Sequence, residues 1–293
     1  MINPNSFQIC KYWWIEFPFH LRLITKIRFF ASFGAGGVIY LTSLIFNDIG
    51  FSATEIGLGF TISAIIGTIT RFFTGNYLNK TGKIQYPLIA SSIISIAAGF
   101  FLIISKDTFF YIIGQSFIGA AAGIYWPAAE FGVPYFCYPI DTRKAYSLVR
   151  SAEALGIFMG VFFGGFLTNF FYSKSIFVND IFCMLVIIFL ILQNKSSIQK
   201  TIVNSQKNSN DPITLNQNKW NKNSSLIILS IILLTTSIAL IQVTLPLDLV
   251  KGGVYRKALS EQFVSFIISF QLVLLLFLQW PVGSWISKRG RLF

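Results

Sequence analysis

Residues 74–83 read TGNYLNKTGK, and 208 positions later residues 282–291 read VGSWISKRGR. At that offset Gly75 falls on Gly283, Lys80 on Lys288, Gly82 on Gly290 and Lys83 on Arg291. Ser52 falls on Ser260, thirty residues ahead of the second glycine in each copy. Each copy closes a long apolar run with a small residue and then a knot of cations. A tight turn between membrane helices draws on glycine's backbone freedom, and lysines at its base suit an anionic lipid surface. One such loop is a common hairpin. Two in register point to an internally duplicated membrane protein, a recurrent plan among secondary transporters.

Around that repeat the implied solvent is lipid. The 293 residues are 54% hydrophobic and 12% charged, about half the charge that coats a soluble domain. The apolar residues come in unbroken runs rather than at an amphipathic period, so the fold class is an all-α integral membrane protein. A net charge of +12 in a soluble protein would suggest nucleic acid. Here the cations sit in short loops between apolar runs, so topology accounts for them and no nucleic-acid partner is expected. Cys10, Cys137 and Cys183 are scattered and His20 is the only histidine, so neither a metal centre nor a disulfide framework is expected, nor any cofactor. Without a cluster of His, Cys or paired acids on one helix face, or a Gly-x-Ser-x-Gly nucleophile motif, an enzyme is not expected either.

Residues 1–28 mix Trp13 and Trp14 with Lys11, Arg22, Lys26 and Arg28, a composition suited to the headgroup layer. An in-plane helix and a disordered tail both fit it, and no signal-peptide pattern is visible. Six spans are expected over 29–192: Phe29–Phe46, 56–78, Ile84–Ser105, 108–131, Ala154–Ser173 and 176–192. Residues 193–223, rich in Asn, Ser, Gln and Lys, read as a polar linker. Two further spans, Ser224–Leu247 and 262–286, occupy 224–293. With a cytoplasmic N-terminus, the inside loops and ends carry 17 Lys and Arg against five outside, with Arg71 within a span. That bias predicts a multi-pass cell-membrane protein with its N-terminus inside.

Several of these stretches resemble the major facilitator superfamily. After its second helix that family has Gly-x-x-x-Asp-Arg/Lys-x-Gly-Arg/Lys; the chain reads Gly75, Asn79, Lys80, Gly82 and Lys83, and after the eighth span Gly283, Ser287, Lys288, Gly290 and Arg291. The family's efflux branches carry Gly-x-x-x-Gly-Pro-x-x-Gly-Gly in the fifth helix, matched by Gly156, Gly160, Gly164 and Gly165 with Val161 in the proline's place. The resemblance implies a six-helix bundle followed by the first two helices of a second bundle. It also implies twelve helices in all, so we expect a chain truncated after the eighth, or one that completes itself as an oligomer. The acidic residue that would latch the two bundles is replaced by Asn79 and Ser287, which leaves a neutral hydrogen bond at best.

Gly156, Gly160 and Gly164 share one helix face and permit close packing. Arg71 lies about one turn before Gly75, and either snorkels toward the membrane surface or faces a cavity. Gln115 stands where many proton-coupled relatives carry an arginine. Tyr40, Tyr125, Trp126 and Gln242 fall on spans that line the family's cavity, though lipid-facing roles suit them equally. Glu130 and Glu153 flank the fourth-to-fifth loop and are expected to pair with Arg143 or Arg150. The function implied is alternating-access transport, with efflux of a small drug-like molecule in exchange for an ion such as a proton. Uptake by symport and a non-transporting fragment of such a carrier are the alternatives.

Overall fold

In the computed structural model, which describes residues 14–170, 174–208, 222–252 and 256–289, the apolar runs become eight helices. They are α1 (Phe19–Asp48), α2 (Ala53–Thr81), α3 (Gln85–Ile104), α4 (Thr108–Phe136), α5 (Thr142–Phe170), α6 (Ser175–Asn208), α7 (Lys222–Lys251) and α8 (Glu261–Arg289). Among the described residues, six helices, α1 to α6, are long and apolar enough to cross a membrane, and α8 adds the shorter apolar stretch Phe263–Leu274.

Several helices overrun the spans expected from hydropathy. The first starts at Phe19 rather than Phe29, the fifth starts inside the expected 137–150 loop, and the sixth continues to Asn208, well into the expected linker. Hydropathy stops at the first run of charges, whereas Arg, Lys and Gln are good helix formers and extend a helix already nucleated by apolar packing. The boundaries are set by caps instead. Pro18 precedes α1, and Asp141 opens α5 by accepting the Arg143 N–H at 2.7 Å.

The sequence repeat reappears as matched helices. Ser52 begins α2 with a capping box: its hydroxyl accepts the Glu55 N–H at 3.3 Å while the Glu55 carboxylate accepts the Ser52 N–H at 2.8 Å. Helix α2 closes on Gly82, whose φ of +62° is left-handed and whose N–H donates to the Leu78 carbonyl at 2.8 Å. Shifted by 208, the bounds of α2 become those of α8. Ser260 again caps, accepting the N–H of Phe263 (the counterpart of Glu55) at 3.4 Å, so the copy keeps half of the box. Gly290 and Arg291 lie outside the described residues. Ser52→Ala should cost about 1 kcal/mol and Ser260→Ala less, read as the relative loss of Tm in detergent.

Within the first bundle the pairing is two-fold. α1 packs on α5 and α6, α4 packs on α2 and α3, and α3 meets α6. Both major crossings pass through glycine. A Cβ on Gly36 would lie 2.6 Å from the Ile157 carbonyl oxygen, one on Gly156 would lie 2.6 Å from that of Phe29, and one on Gly160 would collide with that of Phe33. Across α2 and α4, a Cβ on Gly119 would strike the Ser63 carbonyl, and one on Gly123 the Gly67 carbonyl and the Thr70 hydroxyl. The second bundle begins on α5: Val264, Ser265, Ile268, Ser269 and Leu272 of α8 are buried, and α8 packs on α5.

Two apolar clusters fill the first bundle. One, around Leu21, Ile24, Ala128, Leu148 and Ile187, lies toward the end where α1 begins. The other, around Leu44, Phe46, Tyr111 and Phe177, lies toward the opposite end. There Lys174 is buried and donates to the carbonyls of Ile103 (3.1 Å) and Ser105, which ties the start of α6 to the end of α3. Burial and the neighbouring Lys106 hold its ammonium below the ordinary lysine range.

Candidate functional site

Within the first of those clusters the bundle interior turns polar. Arg28 sits nine residues into α1, about 14 Å along the helix, and its side chain is fully buried. A guanidinium cannot remain there unpaired. Its Nη2 meets Glu130 Oε1 of α4 at 2.7 Å and Glu153 Oε2 of α5 at 2.9 Å, and its Nε donates to the same Glu153 oxygen at 3.1 Å. Arg150 closes the figure from α5, at 2.8 Å from Glu130 Oε1 and 3.1 Å from Glu153 Oε2. Two cations and two carboxylates therefore alternate in a ring of zero net charge spanning three helices. The guanidinium carbon also lies 4.0 Å from the centre of the Trp126 ring and 5.8 Å from that of Tyr125.

Tyr125 and Trp126 form one wall of a cavity of about 100 Å³, enough for several water molecules. Its remaining lining is mostly aliphatic, from α1, α3, α4, α5 and α6: Ala35, Val38, Ile39, Ala121 and Ile157 among others. The polar exceptions are Ser32, Ser91, Ser95 and Asp180.

This arrangement corrects part of the sequence reading. Glu130 and Glu153 do pair with Arg150. Arg143 does not join them: it lies 4.0 Å from Asp141 with both side chains exposed, because it falls on the first, outward turn of α5. The buried cation is Arg28, which the sequence suggested as a headgroup-layer residue. No sequence pattern singled it out, since Arg143 and Arg150 already offered the two acids a base each.

The other candidates separate by face. Tyr125 and Trp126 line the cavity; Tyr40 and Gln115 are buried but do not. The Nε2 of Gln115 has no hydrogen-bond partner among the described residues. Arg71 is exposed on α2 beside the exposed Phe72 and Phe73, away from the cavity. Asn79, Lys80 and Lys83 are exposed at the closing turn of α2, Gly82 is buried there, and a Cβ on Gly75 would meet nothing within 4 Å. Gly156, Gly160 and Gly164 face α1, whereas Gly165 faces Ser265 of α8, whose Oγ would lie 3.2 Å from a Cβ there. Gly283 and Lys288 lie on α8 and Gln242 on α7, with the side chains of Lys288 and Gln242 outside the described residues. Asp180, which falls within the expected 176–192 span, is buried and lines the cavity.

No curated protein matches the chain. Among solved structures it is similar to tetrameric PepTSo2, with a TM-score of 0.53 and 16% identity, covering 76% of this chain and 48% of that one. It is likewise similar to a bacterial homologue of the human drug peptide transporters PepT1 and PepT2, with a TM-score of 0.53 and 14% identity, covering 85% of this chain and 52% of that one. Identities this low carry the fold alone, and the chain spans about half the length of these structures. The family model described as Major Facilitator Superfamily matches residues 27–293, from one residue before Arg28 through both copies of the glycine–lysine turn. The chain belongs to the Major Facilitator Superfamily.

Proposed function

We propose that the chain acts in secondary active transport by alternating access, exporting a small, largely apolar molecule from the cytoplasm in exchange for a proton. The observation that carries this reading is the contrast between the inside of the first bundle and its seam with the second. Inside, the Arg28–Glu130–Arg150–Glu153 ring ties α1, α4 and α5 into one body. At the seam, by contrast, no ion pair joins α5 to α8 among the described residues: Gly165 lies against Ser265, and Val264, Ile268 and Leu272 of α8 are buried alongside. A stiff body with a smooth edge suits rigid-body rocking of one bundle against another. The aliphatic and aromatic walls around Tyr125 and Trp126 favour an apolar cargo. Export is the direction suggested by the Gly156–Gly165 pattern, and the loop charges support a cytoplasmic N-terminus in the cell membrane.

The test is flux from the purified chain in liposomes loaded with the neutral apolar dye Nile red. An imposed pH gradient should accelerate dye movement at least several-fold over protein-free vesicles, and reversing the gradient should reverse the movement. Movement of dye and protons in the same direction would replace exchange with symport. Flux equal to that of empty vesicles would end the transport reading for this chain.

A further inference from the structure

Asp180 takes no part in the charge ring, and its surroundings single it out. It lies on α6, five residues from the helix start and 2% exposed. One carboxyl oxygen, Oδ2, accepts the Ser95 hydroxyl of α3 at 2.9 Å. The other, Oδ1, is buried without a hydrogen-bond partner. Space for the carboxyl comes from Gly34 of α1, where a Cβ would collide with Oδ1 and approach the Asp180 Cα to 3.0 Å. Asp180 and Ser95 both line the cavity that reaches Trp126.

We propose that Asp180 is a proton-binding site inside the first bundle, holding a neutral carboxylic acid while the cavity is closed and releasing its proton when water reaches Oδ1. This deepens the transport reading above by naming the group that carries the coupling proton, and it rests on that reading for its role though not for its existence. The physical case is one of unmet demand. An ionised carboxylate has about four lone-pair sites, and here a single hydroxyl serves them. No cation offsets the charge: among the described residues Asp180 has no ion pair, and Arg28, on the α1–α4 side of the cavity, is engaged by Glu130 and Glu153. In a low-dielectric interior such a group takes up a proton rather than stay charged.

The groups that share the cavity wall with it or touch it offer no counter-charge. α1 presents Ser32 and the Gly34 backbone, α3 presents Ser91 and Ser95, α4 presents Tyr125 and Trp126, and α5 presents Ile157. Cys183 lies one turn along α6 itself and is buried. A bound divalent cation would need about six oxygen ligands, whereas the cavity wall offers the Asp180 carboxylate and the hydroxyls of Ser32, Ser91 and Ser95. A proton requires only Oδ1. The cavity has room for the water that would receive it.

The experiment is infrared difference spectroscopy of the full chain in liposomes, titrated with alkali. A protonated-carboxyl stretch should be present at neutral pH, disappear at high pH and be missing in Asp180→Asn, which keeps the shape and the neutral charge of the acid. Ser95→Ala removes a hydrogen bond made preferentially to the ionised form, so the titration midpoint should rise by about 1–2 pH units. A role confined to packing would leave that midpoint unmoved. No such band in the wild type, or a band that survives Asp180→Asn, overturns the proposal. Dye transport separates the two readings. Loss of pH-gradient-driven flux in Asp180→Asn with downhill exchange retained supports the coupling role; gradient-driven flux equal to wild type overturns it. A titrating Asp180 in a chain that moves no dye would leave the proton site standing and retire the transport reading alone.

Discussion

Arg28→Met should destabilise the detergent-solubilised protein by about 3–5 kcal/mol, the largest loss expected from one substitution. The methionine fills much of the space but leaves Glu130 and Glu153 facing each other across α4 and α5 with only Arg150 between them. Arg150 is half exposed, so part of its charge is spent on solvent. Arg28→Lys should recover only a fraction. An ammonium has no forked Nε and Nη2 to present to two carboxylates from a position 4.0 Å from the centre of the Trp126 ring. The check is thermal unfolding followed by fluorescence-detected size exclusion. Combining Arg28→Met with Glu130→Gln and Glu153→Gln should restore most of the lost Tm, because Arg150 can then turn fully to solvent. If the single variant melts with the wild type, the two carboxylates do not need the Arg28 guanidinium.

Gly160→Leu should be nearly as damaging. Its Cβ would collide with the Phe33 carbonyl oxygen, and a backbone atom cannot rotate aside as a side chain would. Relief requires α1 and α5 to move apart along their length, which also strains the Arg28–Glu153 contact between the same helices. Overpacking of this kind costs about 1–3 kcal/mol or more, and we expect little monodisperse protein. Gly75→Ala is the matched control. It lies within α2, and an added methyl would meet nothing within 4 Å. Alanine there should stabilise the helix by about 0.5–1 kcal/mol. If Gly75→Ala raises Tm yet lowers dye flux, the residue serves a contact formed only during transport.

The sequence carried the membrane fold because lipid leaves little choice: unbroken apolar runs between basic loops must become helices. It carried the duplication too, down to the two serines that cap α2 and α8. Helix ends were less legible, since hydropathy ends at Arg28 or Arg150 whereas the helix does not. The glycine face of α5 could be read, but not its partner. Periodicity tells which residues share a face and is silent on which helix lies opposite. The equivalent crossing of Gly67 on Gly119 and Gly123 escaped for the same reason. The charge ring was half legible. Glu130, Arg150 and Glu153 are close in the chain and invited pairing, but Arg28 is separated from them by 102 and 125 residues. Asp180 shows the same limit. Its isolation within a span was visible; its single hydroxyl partner and its empty oxygen depend on α3 and α1.

Those separations also impose a timetable on synthesis. Arg28 emerges from the ribosome in the first helix, while Glu130 and Glu153 emerge in the fourth and fifth. Until then α1 holds a cation in lipid with no counter-charge, at a standing cost of up to about 2.5–3.5 kcal/mol. Its seat in the centre of the bundle, against α5 and α6, does not yet exist either. Helix α1, made well before its partners, is therefore secured only once they arrive, and nascent chains halted before residue 153 should lose α1 from the membrane far more readily than chains released beyond it.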